Sequence, residues 1–134
     1  MTKQELIDRN KKFVLNVFKM IEMLPLNRTN DAITRQLVRC SSSVGANYRA
    51  ACRAKSNADF INKLKIVEEE TDESIYFLEL LYEIDKGKQK DQIQALLLEA
   101  NELLSIYVAS IKTIREKVNV KANVQGLTIV NHNS

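Results

Sequence analysis

Between Pro25 and Gly87 the chain meets a single glycine, Gly45, and no proline. So long a run with so few breakers leaves little room for turns, and helices are the elements that use chain length without them. The whole sequence of 134 residues holds only three glycines and one proline. Its length suits one domain. Hydrophobic residues at 45% and charged residues at 28% give an ordinary globular balance. No apolar run approaches the ~20 residues that a membrane span needs. The opening segment MTKQELIDRNKK lacks the apolar stretch of a secretory signal. A cytoplasmic protein without membrane contact is expected.

Periodicity divides the chain into four amphipathic segments. Leu6, Phe13, Val17, Met20 and Leu24 recur at helical spacing, widened by Ile7, Val14, Phe18 and Ile21, and predict a helix over about residues 4–24. Pro25 ends it, and Asn27 to Asn30 supply turn chemistry and a cap for a second helix over about 31–54. Ser56 opens SNAD, a variant of the capping box, and the third helix runs over about 57–85 through Phe60, Leu64, Val67, Ser74, Leu78 and Leu81. Gly87 offers a left-handed stop. The fourth helix, about 91–118, carries Ile93, Leu97, Ala100, Leu104, Tyr107, Ile111, Ile114 and Val118 in steps of four and three, the spacing of left-handed bundle packing. From Asn119 the alternating VNVKANV reads as an extended or disordered tail, 119–134. The expectation is all-α: an up-and-down antiparallel four-helix bundle over residues 1–118.

The segment QLVRCSSSVGANYRAACRAKS, Gln36 to Ser56, asks whether it is a ligand-cradling loop or helix. A phosphate-binding loop needs several glycines after a strand, and only Gly45 is present. At 100° per residue, Ile33, Leu37, Cys40, Val44, Tyr48 and Ala51 fall within roughly 80° of arc, so the helix runs straight through the serines. Arg35, Arg39, Arg49 and Arg53 cluster on the opposite side, with Ser42 and Ala46 between the two pairs. The result is a basic ribbon roughly 27 Å long with a small-residue gap. Gly45 costs about 1 kcal/mol of helix propensity relative to alanine. Close approach of another helix is the expected reason for tolerating it.

Charge is sharply partitioned. Residues 25–55 carry six basic side chains against Asp31, whereas residues 56–85 carry nine acids against Lys63 and Lys65. An all-arginine face is either the solvated side of an amphipathic helix or a binding surface. Arginine suits planar bidentate contact with phosphate or carboxylate. Two partners compete: an external polyanion, or the acidic third helix of the same or a neighbouring chain, where Glu68, Asp72, Glu79 and Glu83 form one stripe. That helix is also apolar on a second side, through Ile66, Phe77, Leu80 and Ile84. One small core cannot cover both sides, so this face predicts an oligomer interface.

Catalytic signals are weak. VEEETDES suggests a carboxylate metal site, but di-metal bundles add Glu-x-x-His motifs and the one histidine is His132, near the end of the chain. Serine or cysteine nucleophiles lack a positioned histidine for the same reason. Cys40 and Cys52 lie roughly 18 Å apart along one helix, too far for an internal disulfide. No enzyme activity, metal or cofactor is expected.

The run from Gln36 to Leu81 resembles the four-helix bundle family that includes proteins encoded in 23S ribosomal RNA intervening sequences. Gln36, Arg39, Ser43, Gly45, Ala46, Asn47, Tyr48, Arg53, Ser56, Asp59 and Phe60 carry the resemblance. The same superfamily holds the accessory variability protein of diversity-generating retroelements. The resemblance implies a cytoplasmic bacterial bundle that assembles as a homopentameric ring. Through the retroelement members, it also implies an adaptor that binds RNA and a reverse transcriptase. This chain is less basic than those members, with a net charge of +3. The residues and the resemblance together lead to a nonenzymatic oligomer. Its Arg35, Arg39, Arg49 and Arg53 meet RNA or DNA, or else pair with acidic helix three as part of a protein scaffold.

Overall fold

The structure is a computed structural model that describes residues 1–128, with side chains through Val124. Four helices follow one another: α1 (Lys3–Glu22), α2 (Arg28–Cys52), α3 (Asn57–Ile84) and α4 (Lys90–Thr128). They form the expected all-α bundle. Each helix packs on its sequence neighbours, α2 against α3 most extensively, and α4 returns to close against α1.

Caps fix the helix starts. At α1, Thr2 Oγ1 accepts from the Glu5 N–H at 3.0 Å while the Glu5 carboxylate accepts from the Thr2 N–H at 3.1 Å, a complete capping box that periodicity alone did not reveal. Asn27 Oδ1 accepts from the Asn30 N–H at 2.8 Å, so α2 begins at Arg28, earlier than the expected residue 31. Ser56 caps α3 through the Asp59 N–H at 3.1 Å. The Asp59 carboxylate does not reciprocate and takes Lys63 Nζ at 2.9 Å instead.

The ends differ from expectation in three places. Helix α1 stops at Glu22, because a residue preceding proline is sterically driven away from helical backbone. Gly87 is not left-handed; the Asp85 carboxylate organises that turn, accepting from the Gly87 and Gln89 N–H groups at 3.3 Å each. The segment from Asn119, expected to be extended or disordered, is helical through Thr128 as a continuation of α4. Residues 129–134, including His132, lie outside the described residues. The VNVKANV alternation misled because Lys, Ala, Val and Asn are all admissible in a helix that is already nucleated.

The core takes Leu6, Phe13, Val17, Met20 and Leu24 from α1 and its exit, and Leu37, Cys40, Val44, Tyr48 and Ala51 from α2. From α3 it takes Leu64, Val67, Leu78 and Leu81, as the periodicity indicates. In α4 the fully buried seam is Ile93, Leu96, Ala100, Leu103, Tyr107 and Ile111, with Leu97 and Leu104 half-buried beside it. Beyond Ile114 every α4 side chain through Val124 is exposed.

Polar contacts hold α1 to α4. The Arg9 guanidinium forks onto Glu99 at 2.8 and 2.6 Å and reaches Glu102 at 2.8 Å. Those hydrogen bonds, Glu99 first and Glu102 second, push the Arg9 pKa up. One residue further along α1, the Tyr107 hydroxyl donates to Asn10 Oδ1 in the interior, and the Tyr48 ring lies 5.9 Å from that of Tyr107. Burial raises the pKa of both tyrosines, so both stay neutral donors. Asn10 is 1% exposed, so it depends on this bond for solvation.

Tyr107→Phe strips the donor and leaves a buried amide acceptor unpaired. Urea unfolding should show a loss of about 1–3 kcal/mol. Adding Asn10→Leu removes the stranded amide and should restore most of that loss. A double mutant no more stable than Tyr107→Phe alone would show that the pair has no such coupling.

Candidate nucleic-acid interface

Helix α2 runs unbroken through the serines, so helical geometry sets Arg35, Arg39 and Arg49, while Arg53, expected inside the helix, is its C-cap residue. Arg35, Arg39, Arg49 and Arg53 are all exposed. They do not share one environment. Arg39 bonds Gln36 Oε1 at 3.2 Å on its own helix and reaches across to α3, to Glu70 at 3.3 Å and to Glu73. Arg49 and Arg53 lean the other way, lining a cleft of about 350 Å³ with Lys11 and Asp8 of α1 and with Cys52. Arg35, Arg49 and Arg53 have no carboxylate partner among the described residues.

The acids that meet Arg39 are not those of the expected stripe. Glu70 and Glu73 occupy the flank of α3 that faces α2, whereas Glu68 faces α4, in a cleft beside Val108, Ile111 and Arg115. The wheel of α3 alone cannot say which flank meets α2. Partial burial holds Glu70 above the ordinary carboxylate range, and Arg39 offsets this only in part. A raised carboxyl pKa means that the folded state holds its proton more tightly. Glu70 thus favours folding most at acid pH, and that contribution fades as pH rises through its raised pKa. The Tm of wild type minus that of Glu70→Gln should therefore fall as pH rises from below the ordinary glutamate range to above it. A difference that is flat, or that rises with pH, counts against the assignment.

The small-residue gap also behaves differently from expectation. The close α2–α3 contact is made at Cys40, whose Sγ accepts from Ser74 Oγ at 3.2 Å in the buried interior, where desolvation raises the thiol pKa. Gly45 approaches nothing: a Cβ there would have no neighbour within 4 Å. Together with Ser42 and Ala46 it floors an open groove of about 340 Å³ walled by Val14, Leu15 and Phe18 of α1. Gly45→Ala should accordingly raise stability by about 0.5–1 kcal/mol through helix propensity, read as a Tm increase of a few degrees. A loss of stability under conditions that keep the chain monomeric would mean that the site lacks this space.

On α3, Ile66 and Ile84 are exposed at 42% and 40%, with Tyr76 beside them at 55%. Phe77 and Leu80 are half-buried, Phe77 against the core. Lys11 and Arg9 were not singled out by sequence pattern, although both stand in the short basic run RNKK, residues 9–12. Among the described residues no group of three or more His, Cys, Asp or Glu could hold a metal ion, and no helix is long and apolar enough to cross a membrane.

A family model described as 23S rRNA-intervening sequence protein matches residues 2–109. The chain belongs to this family. The 23S rRNA-intervening sequence match spans α1 to α3 and α4 as far as Ala109, so the rest of α4 lies beyond it. A crystal structure of a protein of unknown function from the S23 ribosomal protein family of Bacteroides thetaiotaomicron is similar to this chain at 29% identity and a TM-score of 0.74. The similarity covers 84% of this chain and 99% of that one. No curated protein matches.

Proposed function

We propose that this member of the 23S rRNA-intervening sequence family is a nonenzymatic, self-associating cytoplasmic bundle that binds RNA through the arginine crest of α2. The supporting observation is that Arg35, Arg49 and Arg53 stand exposed on one helix face without a carboxylate partner among the described residues. Arg39 is committed to Glu70 and Glu73 and contributes mainly to the fold. A homopentameric ring, which the family resemblance implies, would repeat the crest in each subunit. Multiple phosphate contacts then give affinity that one modestly charged chain lacks. No aromatic residue interleaves the arginines, so recognition is of backbone charge rather than base sequence. An adaptor role beside a protein partner such as a reverse transcriptase fits a surface of this kind.

The test is fluorescence anisotropy of RNA and DNA oligomers with wild type and Arg35→Glu/Arg53→Glu, between 50 and 200 mM salt. The variant should bind at least about tenfold more weakly and show a shallower salt slope. Unchanged affinity and slope in an oligomer of wild-type mass would sink the proposal.

A second reading has its own observation. Arg39 already pairs with α3 carboxylates within the chain, so the remaining arginines can do the same between chains, making the bundle a protein scaffold. Under that reading the charge reversal dissociates the oligomer in size-exclusion chromatography, and wild type shows no RNA affinity to lose.

A further inference from the structure

We propose that the groove between α1 and α2 receives the outer face of α3 from a second copy of this chain. The inference rests on the self-association in the proposed function and is independent of its RNA binding. The groove is an exposed apolar concavity: on its α1 wall Leu15 is 47% exposed and Phe18 36%. Its floor at Gly45 is open, with no atom within 4 Å of a notional Cβ. Towards the start of α1 it runs on into the cleft of Arg53, because Ile7, Lys11 and Arg49 line both cavities. The charged residues along its apolar stretch are Lys11 and Arg49, both basic.

A fitting occupant is therefore an exposed helix face that is apolar and acidic. The outer face of α3 has that composition. Ile66, Tyr76 and Ile84 are exposed along it, spaced at i, i+10 and i+18, over roughly 27 Å. Glu69, Asp72 and Glu83 are exposed beside them without a cationic partner among the described residues, and they outnumber the one exposed base on that face, Lys65. Helix-in-groove docking joins the two surfaces through an apolar seam with charge pairs at its edge. The donor and acceptor surfaces differ, so the contact is head-to-tail. Each chain then uses one surface on each of two neighbours, the arrangement that builds closed rings or open filaments.

Three variants test this by multi-angle light scattering, with circular dichroism as the check on folding. Gly45→Trp fills the groove at a position with room in the monomer. Leu15→Glu places an acid on its wall. Ile66→Glu/Tyr76→Glu spoils the α3 face and leaves the groove untouched. Each should reduce the oligomer to monomer. Mixing Gly45→Trp with Ile66→Glu/Tyr76→Glu should restore a species of two-chain mass, since the pair retains one intact donor and one intact acceptor. Groove variants that keep wild-type mass, or complementary variants that stay separate when mixed, overturn the docking proposal and leave self-association standing. A monomeric wild type overturns self-association itself.

Discussion

The fold depends on closing α1 against α4. The three other packed pairs are consecutive helices joined by short turns, so chain connectivity alone brings them together. The α1–α4 contact instead joins residues about ninety positions apart, and the backbones share little of their length. Loop-closure entropy disfavours such a contact until specific interactions offset it. Here two neighbouring positions on α1 do so in different media. Arg9 forks onto Glu99 and Glu102 where water still reaches, and Asn10 takes the Tyr107 hydroxyl inside the core. The interior bond is short-range and directional, so it fixes axial register in a way that apolar packing would not.

That closure leaves the opposite edge of α1 exposed. With Phe13, Val17 and Met20 turned to the core and Arg9 to α4, Leu15 and Phe18 project beside the Gly45 gap of α2. The described residues hold no further helix to cover them. The apolar groove is thus a geometric consequence of how α1 is anchored. Basic side chains flank it because α1 and α2 each carry a net positive charge, whereas α3 is strongly net negative.

Much of this was legible in the sequence, and the reasons for the rest are specific. The scarcity of glycine and proline, together with the 3.6-residue period, located four helices and most buried aliphatic side chains, but missed Ile75 and read the α4 seam one position late, at Leu97 and Leu104 rather than Leu96 and Leu103. Asn10 escaped because a polar residue on an apolar stripe gives no sign of its partner, and Tyr107 lies 97 residues away. Arg39 was recognised as part of a ribbon, yet its pairing with Glu70 and Glu73 depends on which flank of α3 turns towards α2. Interhelical rotation sets that flank, and no single-helix wheel contains it. The Gly45 gap looked like a close-packing device, and inside the chain it is empty because α1 crosses α2 alongside that spot rather than over it. The end of α4 was misread because two-residue alternation was given more weight than the absence of any breaker before Gly126.

The arginine ribbon is in fact three environments on one helix, and this bears on how one surface can serve two partners. On the wheel of α2, Arg35 and Arg53 lie on the crest, Arg39 about 40° towards α3, and Arg49 about 40° towards α1. A helix seated in the α1–α2 groove would meet Arg49 and Lys11 and leave the crest in solvent. On the proposed docking, assembly would occupy Arg49, and the phosphate contact of the proposed function would then fall to Arg35 and Arg53. The two contacts should also respond differently to ionic strength, because an apolar seam is little affected by salt while exposed phosphate contacts weaken steeply. If both proposals hold, such a bundle would remain assembled under conditions that release a bound nucleic acid.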